Sequence, residues 1–223
     1  MENIEIIWNE IRQLLKAHPW HGITIGEDQP KCVNAFIEIV PTDTVKYEVD
    51  KKSGYLKIDR PQLFSNVCPT PYGFIPQTYC GRRVGKYCEE KTGRIGIKGD
   101  GDPLDICVLT EKPITHNDIL LKASPIGGLR MIDGDEADDK IIAVMNKDAV
   151  FGGWKDLIDS PASLIDRLRH YFLTYKEAPG AENRNCEITH IYGREEAYEI
   201  IKRSHDDYLE KYSSLNQLLI TKV

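Results

Sequence analysis

Along residues 4–15 the apolar side chains Ile4, Ile7, Trp8, Ile11, Leu14 and Leu15 recur every three to four positions, the spacing of one helical face. This periodicity predicts an extra N-terminal helix over about 3–17, ended by His18-Pro19-Trp20-His21-Gly22, where proline and glycine oppose continuation. From 33 to 60 the period drops to two. Val33, Ala35, Ile37 and Ile39 alternate with Asn34, Phe36, Glu38 and Val40; after Pro41-Thr42-Asp43, Val45, Tyr47 and Val49 alternate with Lys46, Glu48 and Asp50. Beyond Lys51-Lys52-Ser53-Gly54, Leu56, Ile58 and Arg60 share one side of a third strand, so the segment reads as an antiparallel meander. Residues 61–99, rich in glycine, proline and charge, read as loops with an extended hairpin. Strands resume at 104–109, about 119–130 and 140–146. Ser160-Pro161 then opens a helix, with serine as cap and proline in the first turn, and Leu164, Leu168, Tyr171, Phe172 and Tyr175 form its apolar face. A strand at 186–192 precedes a last helix over 194–212, with Ala197, Ile200, Ile201, Tyr208 and Leu209 inward. Strands first and helices afterwards predict one α+β domain, a small barrel with helices packed outside.

Composition narrows the class without choosing a function. The chain has 223 residues, 41% apolar and 29% charged, which is globular usage for a self-sufficient core. Its 29 basic and 35 acidic residues give a net charge of −6, against the basic footprint of a nucleic-acid or anionic-membrane binder. No apolar run reaches the roughly 20 residues that cross a bilayer. The opening Met1-Glu2-Asn3-Ile4-Glu5 lacks the order of a secretory signal. Six cysteines are too sparse for a disulfide scaffold and read as reduced thiols. These features together predict a cytoplasmic protein.

The candidate chemistry is carboxylate chemistry. Asp100-Gly101-Asp102-Pro103-Leu104-Asp105 sets three acids in a stiff bend before a strand, and Asp133, Asp135, Glu136, Asp138 and Asp139 gather before Lys140. Carboxylates about 5 Å apart repel by roughly 3 kcal/mol per pair at an effective dielectric near 20. Either run alone reads as a solvated acidic turn, since Asp and Gly suit turns for local reasons. The calcium loop of EF-hands fails, because its glycine position falls on Asp105 and its closing glutamate on Val144 in the two registers. Two clusters, each abutting a strand, fit a shared site for several hard divalent cations.

The aspartate bend resembles the D-x-D-P-x-D signature of the soluble family I inorganic pyrophosphatases. Lys46-Tyr47-Glu48, Asp59-Arg60, Tyr72-Gly73-Phe74-Ile75-Pro76, Asp133 through Lys140, and Tyr175-Lys176 resemble further segments of that family in the family's order, over about 33–178. The resemblance implies magnesium-dependent hydrolysis of pyrophosphate to two phosphates, several Mg2+ ions per site with Mn2+ as a substitute, and a five-stranded barrel related in outline to OB folds. It also implies one catalytic domain over 1–223 and a homo-oligomer, either hexamer or dimer. Asp100, Asp105 and Asp138 would hold the metals that activate water, with Asp133 and Glu48 serving others, and Asp102 would be the general base. Lys46, Arg60, Lys140 and Lys176, with the hydroxyls of Tyr72 and Tyr175, would bind phosphate oxygens.

Three departures stand out. Cys68 replaces a tyrosine that usually precedes Tyr72 by four residues, and Gly134 replaces an acid, with Asp135 the nearest substitute. Residues 80–99 resemble an insertion, read as a longer hairpin carrying Arg82, Arg83, Lys86, Lys91 and the plain thiols Cys80 and Cys88. Two other functions compete: a metal-dependent hydrolase of nucleotides or phosphate esters, and a non-catalytic OB-like module. The second would need aromatic platforms and a basic groove, against 9% aromatic residues and net negative charge.

Overall fold

The Ile141-Ile142-Ala143-Val144 run is apolar at every position, the mark of a strand covered on both faces. In the computed structural model, which describes residues 15–176 and 185–214, it lies in β9 (Lys140–Met145) at the centre of an eight-stranded mixed sheet. The other strands of that sheet are β1 (Val33–Ile39), β4 (Tyr72–Phe74), β5 (Lys98–Gly99), β6 (Asp105–Leu109), β7 (Ile119–Asp133), β8 (Glu136–Ala137) and β10 (Cys186–Gly193). β9 pairs parallel with β6, which places Asp105 beside Lys140. Ile106 and Val108 join Ile141 and Ala143 in one core, while Cys107 and Leu109 join Ile142 and Val144 in another. The second core is covered by α2 (Ala162–Thr174), whose Leu168, Tyr171 and Phe172 are buried. Fully burying such a side chain contributes roughly 1.5–3 kcal/mol.

The strand order β1-β4-β6-β9-β7 returns to β1 through a β1–β7 pairing, so these strands close a ring. Its three-residue β4, its parallel β6–β9 pair and the register shifts in β1–β4 and β7–β9 make it irregular, and the regular OB-like barrel is not what these pairings describe. The predicted meander is corrected too. β2 (Val45–Val49) and β3 (Leu56–Pro61) form a separate hairpin and do not ladder with β1. Side chains make the junction instead: the Glu38 carboxylate accepts from Val49 N–H at 2.6 Å, and that of Asp43 from Val40 N–H at 2.8 Å. Ile58 is correspondingly 62% exposed, not inward.

The expected hairpin over 80–99 is a helix, α1 (Arg82–Thr92). Val84, Tyr87 and Cys88 bury one face, Gly93 ends it in the left-handed region at φ 71°, and Gly85 is required where a Cβ would lie 2.9 Å from Gly99 N. Its N-terminus is capped by a distant residue. Asp207, on α3 (Arg194–Lys211), accepts from Gly81 N–H at 3.1 Å and Arg83 N–H at 2.9 Å. Ser160 does not cap α2, because its hydroxyl donates to Leu157 C=O and Pro161 holds the cap position. Leu209 is 39% exposed, outside the buried face of α3. The helix expected near 3–17 lies outside the described residues apart from 15–17, which are not helical. No described helix is long and apolar enough to cross a membrane, and the six cysteines are free thiols.

Candidate active site

A cavity of about 230 Å³ opens where β4, β6, β7 and β9 meet the β2–β3 hairpin and the end of α2. Lys46, Glu48, Tyr72, Asp100, Asp102, Asp105, Asp133, Asp138, Lys140, Tyr175 and Lys176 all line it. Of the site residues predicted from sequence, Arg60 alone does not. It sits opposite Lys46 on the hairpin, with its guanidinium 2.6 Å from Asp59, and Asp59 also takes Lys46 at 3.1 Å.

The acidic bend is built by backbone requirements. Gly101 adopts φ 78°, a left-handed conformation that other residues reach only with strain, and Asp100 accepts from Asp102 N–H at 2.9 Å across the turn. Gly101 N–H donates to Cys80 C=O at 3.0 Å, and Cys80 N–H to Asp102 C=O at 2.8 Å. Below it, buried Leu104 gives its N–H to Thr78 Oγ1 at 2.8 Å. Asp100 and Asp105 are thereby aimed inward and Asp102 is left half-exposed, bonded to Lys51.

Electrostatically, the floor of the cavity holds more negative charge than it compensates. Burial, with the charges of Asp138 and Asp105 nearby, pushes Asp100 up to about 8. Burial raises Asp105 as well, against the pull of Lys140. Lys140 is buried and bonds both Asp105 and Asp138; desolvation would depress it, but those two carboxylates hold its ammonium well above the ordinary lysine value. Tyr72 donates to Asp105 Oδ2 at 2.5 Å, and burial raises its phenol far above the usual range. At the rim, Lys176 lies 2.6 Å from Asp133 and draws that carboxyl below its ordinary value despite desolvation.

One ammonium among three inward carboxylates leaves a deficit of positive charge, and every donor is an oxygen. This set fits hard divalent cations, held by Asp100, Asp105 and Asp138 with Asp133 and Glu48 toward the rim. Among the described residues no three carboxylate, imidazole or thiolate groups already converge on one ion position, and Lys140 bridges Asp105 and Asp138.

Glu38 was not predicted as a site residue. It lines the cavity, and burial pushes its carboxyl up to about 8. The signal available was an acid within the apolar run Phe36-Ile37-Glu38-Ile39-Val40. Lys51 and Tyr171 also line the cavity unforeseen, as does Glu136, which the sequence placed in the second acidic cluster without a role of its own. Asp135 does not substitute at Gly134, for it is exposed and paired with Lys98 at 2.9 Å. Cys68 is wholly buried outside the lining, with Thr70 C=O 3.3 Å from its sulfur.

Comparison with known proteins gives one consistent answer. A protein-family profile described as inorganic pyrophosphatase matches residues 35–209. The inorganic pyrophosphatase of Chlamydia muridarum (strain MoPn / Nigg) is 52% identical over 196 residues, covering 86% of this chain and 94% of that protein. Soluble inorganic pyrophosphatase 1 of Arabidopsis thaliana is 35% identical over 208 residues, covering 93% and 88%. Among solved structures, the inorganic pyrophosphatase from Thermus thermophilus superposes with a TM-score of 0.71 at 27% identity, covering 85% of this chain and 98% of that one.

Proposed function

The chain belongs to the inorganic pyrophosphatase family and is an enzyme that hydrolyses pyrophosphate; from that premise we propose that it does so with magnesium, with Asp102 as the general base. The observation that carries this reading is convergence: acids and bases from β2, β4, the 100–105 bend, β7, β9 and the end of α2 meet in one cavity. Asp100, Asp105 and Asp138 would hold the inner ions, and Asp133 and Glu48 the outer ones, with Mn2+ as a substitute metal. Bound ions supply charge neutralisation and a more acidic water.

The chain's own residues perform the remaining work. Lys140, buried and held charged by Asp105 and Asp138, would offer its ammonium to a phosphate oxygen when those two carboxylates hold ions. Tyr72 and Tyr175, both flanking Phe172, would present hydroxyls to phosphate oxygens, and Lys46 and Lys176 would bind the second phosphoryl group. Arg60 would join them by turning from Asp59, where its planar fork can take two phosphate oxygens. Asp102, exchanging Lys51 for the attacking water, accepts the water's proton on a carboxylate oxygen as the new P–O bond forms. The bridging oxygen departs with the bonding pair of the broken P–O bond on the leaving phosphate.

The same reading treats 1–223 as one catalytic domain, a cytoplasmic homo-oligomer built as dimer or hexamer, and the strand ring as a distorted relative of OB barrels. The test is phosphate release from pyrophosphate with magnesium, with manganese and with chelator. Rapid release with magnesium, slower with manganese and absent with chelator, is expected. Full activity in chelator would overturn the metal assignment.

A further inference from the structure

Asp138 and Asp139 join β8 to β9, which opens at Lys140, and these three neighbours divide between two environments. Asp138 and Lys140 line the catalytic cavity, whereas Asp139 is 2% exposed and outside the lining. It meets Arg130 of β7, a side chain wholly removed from solvent. Arg130 Nε donates to Asp139 Oδ1 at 3.1 Å, and Nη2 lies 3.1 Å from Glu196 Oε1 on α3. The guanidinium carbon sits 5.1 Å from the ring centre of Tyr87 on α1 and 5.2 Å from that of Tyr192 on β10. Tyr87 is stacked in turn with Arg203 of α3 at 4.4 Å. The 80–99 segment thus reaches the active site twice, through Cys80, just before α1, to the acidic bend, and through Tyr87 on α1 to Arg130 and so to Asp139.

A buried ion pair seldom stabilises a fold more than apolar side chains of the same volume. A planar guanidinium seated against two rings does something apolar packing cannot: its Nε bond fixes the direction of Asp139, while Nη1 and Nη2 make no hydrogen bond of their own. We propose that Arg130 is a positioning residue for the hydrolysis: clamped by Tyr87 and Tyr192, it pins Asp139 and so sets how Asp138 and Lys140 enter the cavity, with the insertion helix as the wall behind it. The proposal rests on the site roles given above. Arg130 is not among the side chains that line the cavity, and it acts through the backbone of residues 138–140.

The test compares the full-length parent with an Arg130→Met/Asp139→Leu double variant, which replaces the pair by apolar volume, and with Arg130→Lys, which keeps the charge but loses the fork. Each is measured for melting temperature, kcat, KM and, without substrate, magnesium binding by calorimetry. The double variant should melt no lower than the parent while kcat and magnesium affinity each fall about tenfold or more and KM stays within about threefold. A stable double variant with parental kcat and magnesium affinity would overturn the proposal. If the double variant does not fold, Arg130→Lys decides: parental kcat and affinity overturn the positioning role, and a severalfold drop in both at an unchanged melting temperature supports it. Turnover of the parent itself separates the two readings, since failure of the parent to release phosphate would count against the site assignment and not against Arg130.

Discussion

Half-buried Asp100 and buried Glu38 show how environment, rather than residue type, decides what a side chain does in this site. Asp100 is pushed up to about 8 by burial and by the neighbouring carboxylates, so near neutral pH the metal-free protein retains its proton much of the time. A cation must displace that proton. Magnesium binding at pH 7 should therefore release protons and tighten as pH rises; calorimetry in buffers of different ionisation enthalpy should show buffer-dependent heats, and identical heats would contradict a protonated Asp100. Glu38 is raised from 4.5 to about 8 for the same dominant reason, burial. Below its unfolded value both states carry the proton; between about 4.5 and 8 the folded protein keeps it while the unfolded chain loses it, so this group weakens folding as pH rises across that window. Glu38→Gln removes the titration and retains an acceptor for Val49 N–H. In chelator it should melt close to the parent near pH 4.5 and above it at pH 8.5. A melting difference that does not vary with pH would contradict the assignment. Asp100, Asp102, Asp105, Asp133 and Asp138 were legible in sequence because they sit in short motifs whose turns they also build. Glu38 was not, because one acid on a strand reads as solvent-facing until the covering layer is known. Arg60 was legible as a motif residue, yet its guanidinium turns to Asp59.

At the scale of elements, local pattern and long-range contact diverge most clearly in α1. Its sequence carries Gly81, Gly85 and Gly93, which read as breaks, and the features that make it a helix lie elsewhere. Gly85 allows β5 to approach, and the capping carboxylate comes from Asp207, over a hundred residues later. The positions of β6, β9, α2 and α3 are legible in their apolar periods, and those of β7 and β10 more coarsely, since Pro125 and Gly127-Gly128 interrupt β7. Which strand pairs with which was not legible, since β1 ladders with β4 and β7 rather than with the β2 that follows it. Asp207→Ala removes the acceptor for Gly81 and Arg83 N–H and the partner of the Arg83 guanidinium. The loss of such a cap costs about 1–2 kcal/mol. For a chain of this size the melting temperature should fall by roughly 2–8 °C. An unchanged melt would show that α1 holds without it.

For the whole molecule, the closed ring gathers distant parts of the chain at one cavity. The β6–β9 pairing sets Asp105 beside Lys140, β7 delivers Asp133 at its end, and α2 ends where Tyr175 and Lys176 turn to the rim. The order of motifs makes that convergence expected, but periodicity alone does not yield it, because ring closure depends on β1 reaching β7, with Val33 opposite Ala123 and Ile37 opposite Ile119. The proposed assembly belongs to this scale. Light scattering should return two or six copies of the 25.4 kDa chain, and a stable monomer would contradict it. The central claim concerns one proton, taken by Asp102 from the attacking water. Its most direct measurement is kcat for pyrophosphate hydrolysis at saturating magnesium in the parent and in Asp102→Asn, with circular dichroism to establish that both are folded. The expected result is a folded variant whose kcat falls by about 10²–10⁴. A folded variant turning over near the parental rate would contradict Asp102 as the base.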